Sequence, residues 1–189
     1  MTTSPFLSRR HFLSHAGCLG AVMLLPGCDV FKHPIFKPQP FDYEAFNQRD
    51  IPAPVDRIQV RKSDRALDLV ADGSIVRTYP VALGRVPVGH KQQRGDMKTP
   101  EGVYRVSLKN PASSFHLGLG VSYPNREDAQ IAYQSGRNPG ANIMLHGQPN
   151  GIQRVMQGDW TAGCVALSDT HIEEVWALVG TGCQINIYA

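Results

Sequence analysis

Residues 159–169 read DWTAGCVALSD. A single cysteine, Cys164, stands between a glycine and an apolar run, and Gly163 to Leu167 reads as a buried strand. Working outward, Ser168-Asp169-Thr170 caps a helix. Its apolar positions Ile172, Val175, Trp176 and Val179 fall on one face. Gly180 or Gly182 ends that helix, and Gln184 to Tyr188 closes the chain as a strand. In the other direction, Gln148 to Trp160 is a loop. Before it, Asn142 to Leu145 is an apolar strand running into His146-Gly147.

Short strands dominate further back. Arg57 to Arg61 alternates, with Ile58 and Val60 on one face, and Ala66 to Ala71 continues with Leu67 and Leu69. Asp72-Gly73 predicts a tight hairpin, because such a turn needs positive φ that glycine allows freely. Ile75 to Leu83 pairs back. A polar segment from Gly84 to Gly102 is too long for a passive connection. Within it, KQQRGDMKTPEG (91–102) reads as a structural loop packed behind any site. Val103 to Leu108 and Leu117 to Val121 are strands, and Asn125 caps a short helix with Glu127 and Asp128 in its first turn. The sum is a mostly antiparallel β domain with two short helices over 56–189.

Composition agrees. The 189 residues are 42% hydrophobic and 19% charged, with 18 glycines and 14 prolines. That suits one turn-rich domain with a core of its own. The net charge of +3 comes without a basic cluster interleaved with aromatics, which argues against a nucleic-acid partner. Residues 1–28 read as a targeting segment. Ser8-Arg9-Arg10-His11-Phe12-Leu13 resembles the twin-arginine export motif. The apolar stretch Ala16 to Leu25 falls short of the roughly 20 residues of a membrane span. Leu25-Pro26-Gly27-Cys28 resembles a lipobox, which makes Cys28 a lipidation candidate; an uncleaved anchor, or cleavage elsewhere, is the alternative. Either way the chain is expected in the periplasm or on a membrane. Residues 29–55, rich in proline and aromatics, read as a linker.

Only Cys164 and Cys183 remain in the globular part. A disulfide between them competes with a free thiol, although a helical segment separates them. A thiol becomes a nucleophile as the thiolate, which needs a nearby proton acceptor. Among seven histidines, His146 ends an apolar strand and precedes Gly147. A loop then returns the chain to Cys164, so two strand ends can lie side by side. Gly163 lets the backbone approach a substrate carbonyl, and the Gly163 and Cys164 amides are candidate oxyanion donors, with Gly147 as further backbone support. A buried cysteine and a satisfied core histidine are the alternatives. Asp159 and Trp160 are candidates either to line the site or to buttress the loop, and Tyr123 and Arg137 are candidate substrate contacts on loops. Arg137 is the one suited to hold a carboxylate by a forked pair of hydrogen bonds. No metal or organic cofactor is expected, since the histidines lack zinc spacing.

These blocks carry a resemblance. IMLHG (143–147) followed by TAGCVALS (161–168), with KQQRGDMKTPEGVYRV (91–106) and FHLGLGVSYPN (115–125), is similar to the L,D-transpeptidase catalytic domain, or YkuD, family. The resemblance spans about residues 56–189. It implies a β-sandwich-like fold and a cysteine acyl transferase acting on peptidoglycan stem peptides. Cys164 would be the nucleophile and His146 the base, and an amine on a second stem or on a lipoprotein would resolve the thioester. Hydrolysis of stems or of lipoprotein links, and non-enzymatic wall binding, are the rival expectations. The chain departs from the commoner family pattern at Ala162, where a histidine is usual, and at Ala166, where an arginine is usual.

Overall fold

The computed structural model describes residues 54–152 and 154–189. The export-like motif, Cys28 and the linker up to residue 53 lie outside the described residues. Ten elements follow in chain order: β1 (Arg57–Arg61), β2 (Ala66–Ala71), β3 (Ser74–Pro80), β4 (Gly102–Ser113), β5 (His116–Val121), α1 (Arg126–Gln134), β6 (Met144–His146), β7 (Val165–Ala166), α2 (Asp169–Leu178) and β8 (Gln184–Tyr188). The strands form one sheet in the order β3-β2-β1-β8-β4-β5-β6-β7. Pairing is antiparallel except at β1–β8 and β6–β7.

The β2–β3 hairpin turns where the Asp-Gly signal places it. Asp72 and Gly73 both have positive φ, at 49° and 75°, as a tight two-residue turn requires. Strand β4 is longer than its sequence suggests. The expected strand ends at Leu108, but the ladder runs on past Pro111 to Ser113. The proline is accommodated because the register shifts between Asn110 and Ser113, so its missing N–H breaks no regular pair. This length lets β4 serve two neighbours. Its first four residues pair with β8, and its second half pairs with β5. The sheet therefore changes partners along β4. It also curls, because the chain after β3 meets β7: Ala82 and Ala166 exchange backbone hydrogen bonds of 2.8 Å in both directions.

Alternation sets the core. Ile58, Val60, Leu67, Leu69, Ile185 and Ile187 from one half of the sheet meet Leu119, Leu145 and Val165 from the other. Ile172, Val175 and Trp176 of α2 complete the cluster. Helix α2 starts where expected, with the Ser168 hydroxyl accepting from the His171 amide. It has no basic residue in its last turn; Lys109 of β4 reaches over instead and donates to the Trp176 and Val179 carbonyls at 2.6 and 3.1 Å. Helix α1 carries a capping box in which the Asn125 and Asp128 side chains each accept the other's amide. Its Asp128 also accepts from the Tyr104 hydroxyl at 3.0 Å, which ties the helix to β4.

Candidate functional site

The site forms where β6 and β7 run side by side. Leu145 is paired with Val165 and His146 with Ala166. Leu145 and Val165 are fully buried in the core, so their neighbours point to the other face of the sheet. Cys164 directly precedes β7 and lines a cavity separate from the one that Ala166 lines. The parallel pairing thus brings the chain at Cys164 alongside Met144, two residues before His146 at the end of β6.

His146 is buried, and its ring rests against Phe115 and Trp160, with centroids 4.6 and 5.7 Å away. Its Nδ1 lies 2.7 Å from the Gly147 carbonyl oxygen. A carbonyl only accepts, so Nδ1 carries the proton and the neutral ring keeps its lone pair on Nε2. Burial pushes the imidazole pKa below its usual 6.5, against the pull of that hydrogen bond.

Cys164 is half-buried and free, as is Cys183. In the resting arrangement the thiol donates to the Asn142 carbonyl oxygen across 3.6 Å. Burial raises its pKa above 9.0, while the Met144 amide and the positive charge of Lys91 pull it down. The sulfur opens into a cavity of about 730 Å³, lined also by Lys91, Arg94, Tyr133, Asn138, Asn142 and Ala162.

The turn before the cysteine is held by one hydroxyl. Thr161 Oγ1 donates to the Cys164 carbonyl at 2.7 Å and accepts from the Gly163 amide at 3.1 Å. Gly163 has φ +129°, and a Cβ there would stand 2.6 Å from the Lys98 carbonyl oxygen. The glycine is therefore required by close approach to the polar loop. Its expected role as an oxyanion donor is corrected, because its amide is already spent on Thr161. Gly147 is spent too, its amide reaching the Phe115 and Leu117 carbonyls at 3.0 and 3.3 Å. The Cys164 amide has no acceptor among the described residues.

Other sequence candidates move. The segment 91–102 lies in front of the site, not behind it: Lys91, Arg94 and Gly95 line the cavity and Lys98 touches Gly163. Asp96 is its hub. It accepts from Lys91 Nζ at 2.8 Å and from the Gln92, Gln93 and Lys98 amides. Arg137 is exposed, donates to Gln92 Oε1 at 3.1 Å, and lines a separate shallow pocket. Tyr123 is buried, and its hydroxyl donates to the Pro139 carbonyl, which steadies the chain lining the cavity. Asp159 is a bolt: it accepts from the Leu83 amide and from Arg65 Nη2, both at 2.9 Å. Trp160 meets the base candidate edge to face, and its indole nitrogen is buried without a partner among the described residues. Of the two departures from the common pattern, Ala162 lines the thiol cavity. Ala166 lines a second cavity of about 350 Å³ with Gln148, Asp159 and His171. Lys91, Arg94 and Phe115 escaped the sequence reading. The polar loop's length was the only signal for the first two.

Comparisons with known proteins agree with the fold. YafK of Escherichia coli K12 is 28% identical over 145 residues, which cover 69% of this chain and 52% of YafK. This chain therefore spans about half the length of that relative. The crystal structure of the helical cell shape determining protein Pgp2 (K307A mutant) from Campylobacter jejuni superposes with a TM-score of 0.56 at 25% identity, covering 72% of this chain and 47% of Pgp2. An L,D-transpeptidase from Mycobacterium smegmatis shares the fold at 16% identity and a TM-score of 0.50, covering 72% of this chain and 59% of that one. The sequence profile of the L,D-transpeptidase catalytic domain matches residues 55–187, and the chain belongs to that family, YkuD.

Proposed function

We propose that this protein is a cysteine acyl transferase acting on peptidoglycan stem peptides in the cell envelope. The supporting observation is that His146 ends β6 and Cys164 directly precedes its parallel partner β7, with the cysteine lining a cavity large enough for a peptide. The thiol leaves its resting partner, Asn142, and gives its proton to His146 Nε2. The sulfur attacks the stem carbonyl carbon, and the Cys164 amide donates to the oxygen as it becomes negative. The C–N bond breaks, His146 returns the proton to the departing amine, and a thioester remains on Cys164. An acceptor amine then attacks, losing a proton to His146. The new amide forms and the sulfur leaves as the thiol. Burial keeps the resting pair neutral, so the proton moves during attack and is not stored as an ion pair.

Incubation with a carbapenem followed by mass spectrometry is expected to show one adduct, on Cys164. Labelling of Cys164→Ala at the same peptide would overturn the assignment. Digested sacculi then separate the modes: new dimers mean transfer, lost cross-links mean hydrolysis, and unchanged sacculi mean wall binding alone. An acceptor amine on a lipoprotein, and anchoring through Cys28, belong to the same proposal. Both are read by analysing lipid and protein attached to wall fragments.

A further inference from the structure

The cavity that holds the thiol is basic. Two cations line it, Lys91 and Arg94, and no carboxylate lines it among the described residues. The two are not equivalent. Lys91 is 3% exposed, and its Nζ is held by Asp96 Oδ1 at 2.8 Å and the Gln93 carbonyl at 2.9 Å. Its charge is fixed in place and largely answered. Arg94 is the reverse. Its backbone is pinned: the amide donates to the Asn138 carbonyl at 2.7 Å, and a Cβ on Gly140 would stand 3.2 Å from the Arg94 Cα. Its side chain is exposed at the cavity wall, and its guanidinium has no hydrogen-bond or ion-pair partner among the described residues.

A guanidinium on a rigid mount, unpaired, facing the same cavity as a nucleophile, is suited to a planar anion. Its fork matches a carboxylate in two parallel hydrogen bonds. We propose that Arg94 is the specificity-determining residue of the donor site and takes a free carboxylate of the acyl-donor stem peptide. The proposal rests on the acyl-transfer reading above and narrows its substrate class to stems that keep that carboxylate unamidated. Two carboxylates fit this chemistry: the terminal one on the leaving D-residue, and the one on the D-centre of the attacked diamino acid. Asn138 and Asn142 supply neutral polar walls and no competing charge. Arg137, the carboxylate candidate by sequence, is already engaged by Gln92 and lines another pocket.

The test uses the whole chain carrying Cys164→Ala, so that binding is read without turnover. Three disaccharide-tetrapeptides are titrated calorimetrically: the free acid, the same stem ending in D-alaninamide, and the same stem amidated at the D-centre. One of the two amides is expected to bind about 10–100-fold more weakly than the free acid, the range of a charge-assisted hydrogen-bonded pair. Its identity names the carboxylate. Adding Arg94→Gln should weaken the free acid to the level of that amide and leave the amide unchanged, and Arg94→Lys should recover part of the loss. Equal binding of all three stems overturns the proposal, as does an unchanged acid-to-amide ratio in Arg94→Gln, or no measurable binding of any stem. A retained acid preference in a protein whose wild type gains no carbapenem adduct would remove the transfer reading and leave carboxylate recognition standing.

Discussion

The Nδ1–H of His146 donates to the carbonyl of Gly147, its immediate neighbour, across 2.7 Å. That contact chooses the tautomer without any acidic partner, and it leaves Nε2 as the basic nitrogen. An aspartate in its place would stabilise the imidazolium and raise the pKa. A carbonyl does so weakly, and burial wins.

The pH dependence follows. The folded-state pKa of His146 lies below its usual 6.5, so between the two values the unfolded chain binds more protons. Stability therefore rises with pH through that window and is lost as pH falls below 6.5. The Cys164 thiol titrates above 9.0. Its alkylation by iodoacetamide should keep climbing into alkaline solution, with no plateau in the neutral range. NMR titration of His146 and alkylation rates measured across pH check both statements. A neutral-range plateau would reveal a preformed thiolate–imidazolium pair instead.

Gly163→Ala should fail for steric reasons. The residue sits at φ +129°, and the added methyl would meet the Lys98 carbonyl oxygen at 2.6 Å. The loop must then move away from the cysteine turn. We expect a loss of about 2–4 kcal/mol in stability by urea denaturation, from backbone strain plus overpacking. Carbapenem acylation of whatever remains folded should be slowed. A fully stable variant would mean that the loop yields freely.

The fold was legible where local chemistry is self-contained. Alternation gave β1 and β2, Asp72-Gly73 gave the hairpin, and Ser168 gave the start of α2. Strand β4 was cut short because Pro111 looks like a terminator when its ladder shift cannot be seen. At the candidate site, Cys164 and His146 stand out in the sequence because each lies next to a glycine at or beside a strand end. Arg94 and Lys91 were not. Their role depends on which side of Gly163 the polar loop packs, a tertiary fact set by the Lys98 contact and not by any local pattern. The two readings of Asp159 could not be separated for a related reason: its partners, Leu83 and Arg65, are 76 and 94 positions away in the chain.

Asp159 provides a graded test between buttress and substrate contact. Asn in its place keeps an acceptor for the Leu83 amide and loses only a half-exposed ion pair with Arg65. The expected cost is below about 1 kcal/mol. Ala leaves the Leu83 amide unpaired, and about 1–3 kcal/mol should be lost. Thermal melts of both variants should fall in that order. An Asp159→Asn protein that melts normally but loses affinity for stem peptides would return Asp159 to the substrate-binding set.

The Lys91–Asp96 pair links the stability of the polar loop to the reactivity of the thiol. Both side chains are nearly buried, and the pair is 2.8 Å long. Lys91→Met would strand the Asp96 carboxylate in that environment, and a loss of about 3–5 kcal/mol is expected. Burial alone would raise the Asp96 pKa, yet Lys91 and three backbone amides outweigh it and hold it below 3.8. Its stabilising contribution is thus present above that value and lost as pH falls through the folded pKa. The Lys91→Met/Asp96→Asn double variant removes the stranded charge and keeps an acceptor for the loop amides, so part of the stability should return. Thiol reactivity should not return with it, because the positive charge that lowers the Cys164 pKa is absent from both variants. Alkylation at neutral pH slowed in the single and double variants alike, with stability restored only in the double, is the expected pattern. Recovery of alkylation in the double variant would mean that the stranded Asp96 charge or the loop's packing, and not the loss of the Lys91 charge itself, had slowed the thiol.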